Sequence, residues 1–296
     1  MNIEKKYQVY TFYRFIKINN KNKIKNNLDK DLKYKNIKGT ILLADEGINA
    51  SITGKQNDLV LIIKKIKKLL KIKTINLKIN TVSCLPFNRM KVRLKKEIVS
   101  LGIKNLNIPV SHKGLVSPNN WDKLIKEKNI KLIDVRNIYE TQIGNFKNSL
   151  DPQTHTFREF PTKILDLKLK NDDKIAMYCT GGIRCEKASA YLKSKGYKEV
   201  YQLEGGILNY LHYNNEKNIS SWNGECFVFD GRVALNKKLE KGSYKQCYGC
   251  RSPITKKETK SKEYQKGVHC PKCINKRSDE QKKRSLMRQN QLDNLQ

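Results

Sequence analysis

The sequence predicts an α+β ferredoxin-like domain, then an α/β domain on a mainly parallel sheet, then a small cysteine-rich C-terminal region. Three observations carry this. Residues 7–82 run strand, helix, strand, strand, helix, strand, the split β-α-β order. Residues 115–215 alternate short apolar strands with helices through glycine-containing turns. Residues 247–273 carry two pairs of cysteines in a stretch poor in apolar side chains. A chain of 296 residues accommodates more than one core, with expected boundaries of 1–110, 111–218 and 219–296.

In the first unit, Tyr7–Phe15 reads as an aromatic-rich strand. Asn20–Leu32 reads as a polar helix with Ile24, Leu28 and Leu32 at four-residue spacing. Ile37–Ala44 and Ile48–Thr53 read as strands joined through Asp45-Glu46-Gly47. Asp58–Leu70 gathers Leu59, Ile62, Ile63, Ile66, Leu69 and Leu70 on one face and Lys64, Lys65, Lys67 and Lys68 on the other. That lysine face fits either plain solvation or contact with phosphate. Leu77–Val82 completes the motif. The basic run Arg89–Lys96 alternates charged and apolar side chains, as an extended segment with one charged face does. It fits an edge strand, an interdomain connection or an RNA path.

In the second unit, helices are expected at Trp121–Lys128, Cys185–Lys195 and Ile207–His212, and strands at Leu132–Val135, Lys174–Tyr178 and Glu199–Leu203. Sites in such sheets lie at the carboxyl ends of strands. Those ends hold Asp134-Val135-Arg136, Cys179 and Glu204-Gly205-Gly206.

Lys and Arg number 61 against 28 Asp and Glu, a formal charge of +33. The excess is +18 over residues 1–110, +5 over 111–240 and +10 over 241–296. Positive flanks around a nearly balanced middle favour a polyanionic partner such as nucleic acid, although 50 of the basic residues are Lys, which a surface bias alone also produces. Apolar runs such as Ile41–Leu43 and Leu59–Ile63 fall far short of the roughly 20 residues that span a bilayer, so no membrane partner is expected. Met1–Lys6 leads into an alternating run without an apolar core, so no secretory signal is read.

Eight cysteines without such a signal point to reduced thiols, metal ligation or catalysis. Cys247, Cys250, Cys270 and Cys273 have the spacing of a four-cysteine structural zinc site, whose metal would supply folding energy that a small core cannot. Free buried thiols and a redox pair are the alternatives. Cys179 follows a buried strand and opens Cys179-Thr180-Gly181-Gly182-Ile183-Arg184 at a helix entry. Inward-curling N–H groups at Gly181 and Gly182, with Arg184 nearby, would stabilise a thiolate. A buried structural cysteine is the plainer reading. Cys185 fits either core packing or a resolving thiol. His112, His155, His212 and His269 are too scattered for a triad or metal site.

The Cys179–Arg184 loop, with Asp134-Val135-Arg136 upstream and Glu204-Gly205-Gly206 downstream, resembles a rhodanese domain. Taken with Ala44-Asp45-Glu46-Gly47-Ile48-Asn49-Ala50, Asp134–Glu140, Thr156–Pro161 and Tyr178–Lys187, the whole chain resembles the bacterial tRNA uridine(34) hydroxylases. The resemblance implies an acylphosphatase-like N-terminal domain before the rhodanese domain and a cysteine-bearing tail. It implies a cytoplasmic enzyme that uses dioxygen as co-substrate to convert wobble uridine into 5-hydroxyuridine, with the tRNA anticodon stem-loop as partner. Cys179 would be the essential cysteine and Arg184 would close its loop; Asp134, Arg136, Cys185 and Glu204 are candidates for support or resolution. No flavin or nicotinamide site and no His-rich iron triad is evident. Loop chemistry alone also suits a persulfide-carrying sulfurtransferase, and charge alone a non-catalytic RNA-binding protein.

Overall fold

The computed structural model describes residues 7–109, 114–215 and 220–294; the segments at 1–6 and around His112 lie outside them. The first unit contains β1 (Tyr7–Phe15), α1 (Lys21–Lys33), β2 (Lys38–Ala44), β3 (Gly47–Gly54), α2 (Gln56–Leu70), β4 (Lys78–Val82) and β5 (Met90–Leu94). Its sheet order is β4-β1-β3-β2-β5, antiparallel except for the β2–β5 pair. The basic run is therefore an edge strand, which buries Val92 between Lys91 and Arg93.

Strand alternation gives this sheet two different faces. Tyr10, Phe12, Ile48, Ala50 and Ile52 pack on α1 and α2, where α2 buries Leu59, Ile62, Ile63, Ile66 and Leu70. The opposite face carries Thr11, Tyr13, Asn49, Ser51, Lys78 and Asn80. That polar face meets the second unit: Asn80 Nδ2 donates to the Leu239 carbonyl at 3.2 Å, and Tyr13 Oη to Glu186 Oε1 at 3.0 Å.

The second unit contains β6 (Leu115–Val116), α3 (Pro118–Leu124), β7 (Ile130–Asp134), α4 (Ile138–Thr141), β8 (Gly144–Phe146), α5 (Phe160–Lys163), β9 (Lys174–Tyr178), α6 (Ile183–Ser194), β10 (Val200–Leu203) and α7 (Gly206–Asn215). The four strands β6-β10-β9-β7 are parallel. Both faces are covered, which is why the strands read as continuous apolar runs. Ile175, Met177 and Cys179 point toward α6, whereas Ala176 and Tyr178 point toward α3, α7 and Trp222. Helix α3 stops four residues before the expected Lys128, and α6 starts two residues before the expected Cys185.

Beyond residue 219 come β11 (Trp222–Gly224), β12 (Cys226–Phe227), β13 (Ala234–Leu235), β14 (Lys245–Gln246), β15 (Pro253–Ile254) and α8 (Asp279–Asp293). Strand β11 pairs with β8, and Trp222 and Cys226 sit in the core of the second unit. The chain past 218 thus first completes that unit, and the cysteine module follows. Helix α8, unanticipated in the Gln-rich end, starts at a capping box formed by Ser278 and Gln281.

Candidate active site

Cys179 lies one residue beyond β9 and is fully buried. The next residues turn sharply: Gly182 has φ +96°, and α6 begins at Ile183. The turn aims the Gly182 N–H at Cys179 Sγ, 3.1 Å away. Burial alone would raise this thiol's pKa. The Cys185 thiol, the Arg184 charge and the N–H groups of Cys185 and Arg184 outweigh burial and hold it at about 5. Cys185 itself is pushed well above the ordinary thiol value, by burial and by its bond to Cys179. It is the donor of the pair and stays protonated when Cys179 ionises. Cys226 makes the contrast: burial pushes its thiol up to about 12, so it packs as an inert core residue.

The residue that braces the loop is Glu140, which the sequence reading did not single out. Its carboxylate is fully buried and accepts from Arg184 Nη1 at 2.6 Å and Nη2 at 2.7 Å, a bidentate pair. It also accepts from Thr180 Oγ1 at 3.2 Å and from the Asn137 N–H at 3.2 Å. Burial disfavours both charges, but their mutual attraction prevails: Glu140 sits below the ordinary carboxylate range and Arg184 well above its usual value. Arg184 thus closes the loop by tying α6 to α4, and Phe229 lies over its guanidinium. The clue in the sequence was the spacing of Asn137 and Glu140, a capping box at the start of α4.

Asp134 and Arg136 do not touch the loop. They form a buried ion pair of 2.6 Å, with Arg136 stacked on Trp222 and Tyr178. Arg136 also donates to the carbonyls of Glu140 at 3.3 Å and Gly144 at 2.6 Å, so it supports the helix that carries Glu140. Glu204 contributes through its backbone, donating to Val116 and accepting from Asn209. The neighbouring Gly206 (φ +68°) presses on the loop; a Cβ there would lie 2.4 Å from the Cys179 carbonyl and 2.8 Å from the Gly182 nitrogen. Of the other loop residues named from the sequence, Thr180 bonds Glu140, and Ile183 is the first residue of α6.

The N-terminal domain roofs this loop. Lys78 Nζ donates to the Gly181 carbonyl, and Tyr13 bonds Glu186. Further along α6, Lys187 is clamped between Glu46 at 2.8 Å and Glu97 at 2.6 Å. A cleft of about 300 Å³ beside the roof shares Lys78 and Gly205 with the loop surroundings, and Thr11, Asn209, His212 and Arg232 also line it.

In the C-terminal module, Cys247, Cys250, Cys270 and Cys273 converge with all four sulfurs within 4.8 Å of one another. The Cys247–Cys273 and Cys250–Cys270 separations are both 3.9 Å, and Cys270–Cys273 is 3.8 Å. Ligands about 2.3 Å from a tetrahedral zinc lie about 3.8 Å apart, whereas bonded sulfurs lie about 2.05 Å apart. The donor set suits a metal. His269 stands aside, bonded through Nδ1 to the Glu263 carbonyl.

Residues 7–98 match the family described as UPF0176 acylphosphatase like domain, and residues 117–212 match the rhodanese-like domain. The chain is 46% identical over 288 residues to the tRNA uridine(34) hydroxylase of Pelagibacter ubique (strain HTCC1062), covering 97% of this chain and 94% of that one. The chain belongs to the tRNA uridine(34) hydroxylase family. Solved structures similar to it include a rhodanese-like domain from Anabaena sp., 16% identical, covering 38% of this chain and 80% of that one with a TM-score of 0.30. Another is a rhodanese-related protein from Thermoplasma volcanium, 26% identical, covering 33% and 90% with a TM-score of 0.27. The expected acylphosphatase-like domain of these hydroxylases is thus present ahead of the rhodanese domain. Among the described residues, no helix is long and apolar enough to cross a membrane.

Proposed function

We infer that this chain hydroxylates uridine 34 of tRNA to 5-hydroxyuridine in the cytoplasm, with dioxygen as co-substrate and Cys179 as the reacting thiol. The near full-length match to a tRNA uridine(34) hydroxylase carries this reading. The site's chemistry agrees with it. A thiol held at about 5 is almost entirely thiolate at neutral pH. A uracil ring is electrophilic at C6, so the thiolate can form an S–C6 bond there and move the ring's C5–C6 π pair toward C5 and O4. Arg184 stays paired with Glu140 throughout and acts by holding the loop and its charge. Cys179 is sealed beneath Lys78 and Tyr13, so the base reaches it only when that roof opens.

The anticodon stem-loop is the substrate region this chemistry favours, because an unpaired nucleotide is presented to a pocket more cheaply than a paired one. The basic flanks would hold its phosphates. Zinc in the four-cysteine cluster would serve folding of the C-terminal module, which has few apolar residues around the sulfurs. The test is a nucleoside digest of tRNA from cells with and without the gene and with Cys179→Ser. Added oxygen on uridine that disappears in both altered strains is expected. Added sulfur would mark a persulfide transferase instead, and no change would leave only RNA binding.

A further inference from the structure

One peptide unit in the cysteine loop is held from both ends. The bond between Gly181 and Gly182 is trans, so its carbonyl and its N–H point in opposite directions. The N–H donates to Cys179 Sγ at 3.1 Å, and the carbonyl accepts from Lys78 Nζ. Lys78 belongs to β4, in the other domain. Glycines on both sides make this unit the easiest in the loop to flip, since no Cβ resists the rotation. A flipped unit would turn a carbonyl oxygen toward the thiolate and withdraw its closest backbone donor.

We propose that Lys78 is a positioning residue of the Cys179 centre, acting through the Gly181–Gly182 peptide unit. Its ammonium pins the carbonyl outward, which keeps the N–H aimed at sulfur. A cation on the oxygen also polarises the amide and strengthens the N–H as a donor. The hydroxylase site is therefore shared: the rhodanese domain supplies the thiol, and the N-terminal domain sets the donor that stabilises it. Tyr13 supports the arrangement, lying under the Lys78 amine with 5.7 Å to its ring centre while its hydroxyl bonds Glu186. The charged and titratable groups facing Cys179 are Arg184 and Cys185 from α6, and Lys78 and Tyr13 from the sheet of the first domain, with Glu186 acting on Cys185, Lys78 and Tyr13. Burial lowers the Lys78 pKa to about 8 against the attraction of Cys179 and Glu186, which leaves it mostly charged at neutral pH.

The proposal rests on Cys179 being the reacting thiol, but its test needs no tRNA. The thiolate of the full chain is titrated by ultraviolet absorbance near 240 nm, as the difference from a Cys179→Ser reference in each background. Lys78→Met is expected to raise the midpoint from about 5 by about one unit or more. Lys78→Arg keeps charge and donor and should stay near the wild-type midpoint. Glu46→Gln loosens the Lys187 clamp at the same domain boundary without touching the peptide unit, and should also leave the midpoint in place. The Gly182 amide resonance should titrate with Cys179 in the wild type and lose that response in Lys78→Met. If Lys78→Met does not fold, Lys78→Gln is titrated in its place with the same expectation. An unshifted midpoint in the uncharged variant overturns the proposal, as does an equal shift in Glu46→Gln, which would reduce Lys78 to domain docking. Absence of 5-hydroxyuridine from the tRNA digest would refute the functional reading and leave this titration interpretable.

Discussion

Glu140→Gln tests how the cysteine loop is held. In the wild type this carboxylate, with no solvent exposure, takes four hydrogen bonds: two from Arg184, one from Thr180 and one from the Asn137 N–H. Gln keeps one acceptor oxygen and turns an NH2 toward a group that can only donate. The Arg184 cation then stays buried without its counter-charge. Breaking a buried pair in this way costs about 3–5 kcal/mol. The two tryptophans, Trp121 and Trp222, both lie in the second unit's core, so their fluorescence during urea unfolding reports on the domain concerned. With a slope of about 2 kcal/mol per molar urea, the midpoint should fall by roughly 2 M with little change in slope.

The pH dependence has a defined sign. Glu140 is held below its ordinary pKa, so its stabilisation is full above the ordinary carboxylate value and is lost as pH falls through the folded value. Wild type and variant should therefore differ most at neutral pH and converge in acid. Arg184→Met combined with Glu140→Gln removes both charges and should recover much of the stability without activity. A single variant within about 1 kcal/mol of wild type, or a double variant no more stable than the single, would show that this pair does not hold the loop.

Cys179 should titrate with a midpoint of about 5 by thiolate absorbance, and Cys185→Ala should raise that midpoint by removing a donor. Gly206→Ala places a Cβ 2.4 Å from the Cys179 carbonyl at a φ of +68°; tRNA hydroxylation should fall by at least about tenfold, the scale of a loop displaced by an ångström or less, and wild-type rates would contradict the packing described. The purified protein should hold about one zinc per chain by elemental analysis. Cys247→Ser should lower that content and expose residues 240–290 to protease while the tryptophan-reported transition persists, and a metal-free protein with a protease-resistant tail would refute the assignment.

Much of the fold was legible because it rests on local periodicity. The four-residue spacing of Ile24, Leu28 and Leu32, the apolar face of Asp58–Leu70 and the buried run Lys174–Tyr178 each state a period that one element satisfies. Cys179 and its glycines were legible too, because a strand end, a tight turn and a helix entry are consecutive in the chain. Helix α8 was missed because only Ser285 on it is buried, which leaves almost no apolar stripe to read. The four-cysteine cluster announced itself by spacing, since each pair of cysteines with two residues between them suits a local chelate, but whether four sulfurs meet was a matter for the tertiary fold.

Long-range partners were decided by the tertiary structure alone. Glu140 stands 44 residues from Arg184, and Lys78 stands 103 from Gly181. Hydrophobic patterning records which face of an element is buried, because burial of apolar area repeats with the period of the element. It does not record which charged residue meets which. Arg184 could have paired with Asp134, Glu140 or Glu204 as far as one-dimensional order was concerned. The tertiary fold brings Glu140 on α4 to Arg184, and Asp134 is taken by Arg136. The lysine over the cysteine loop comes from the polar face of a different domain's sheet, an alignment that exists only once both domains have folded and docked.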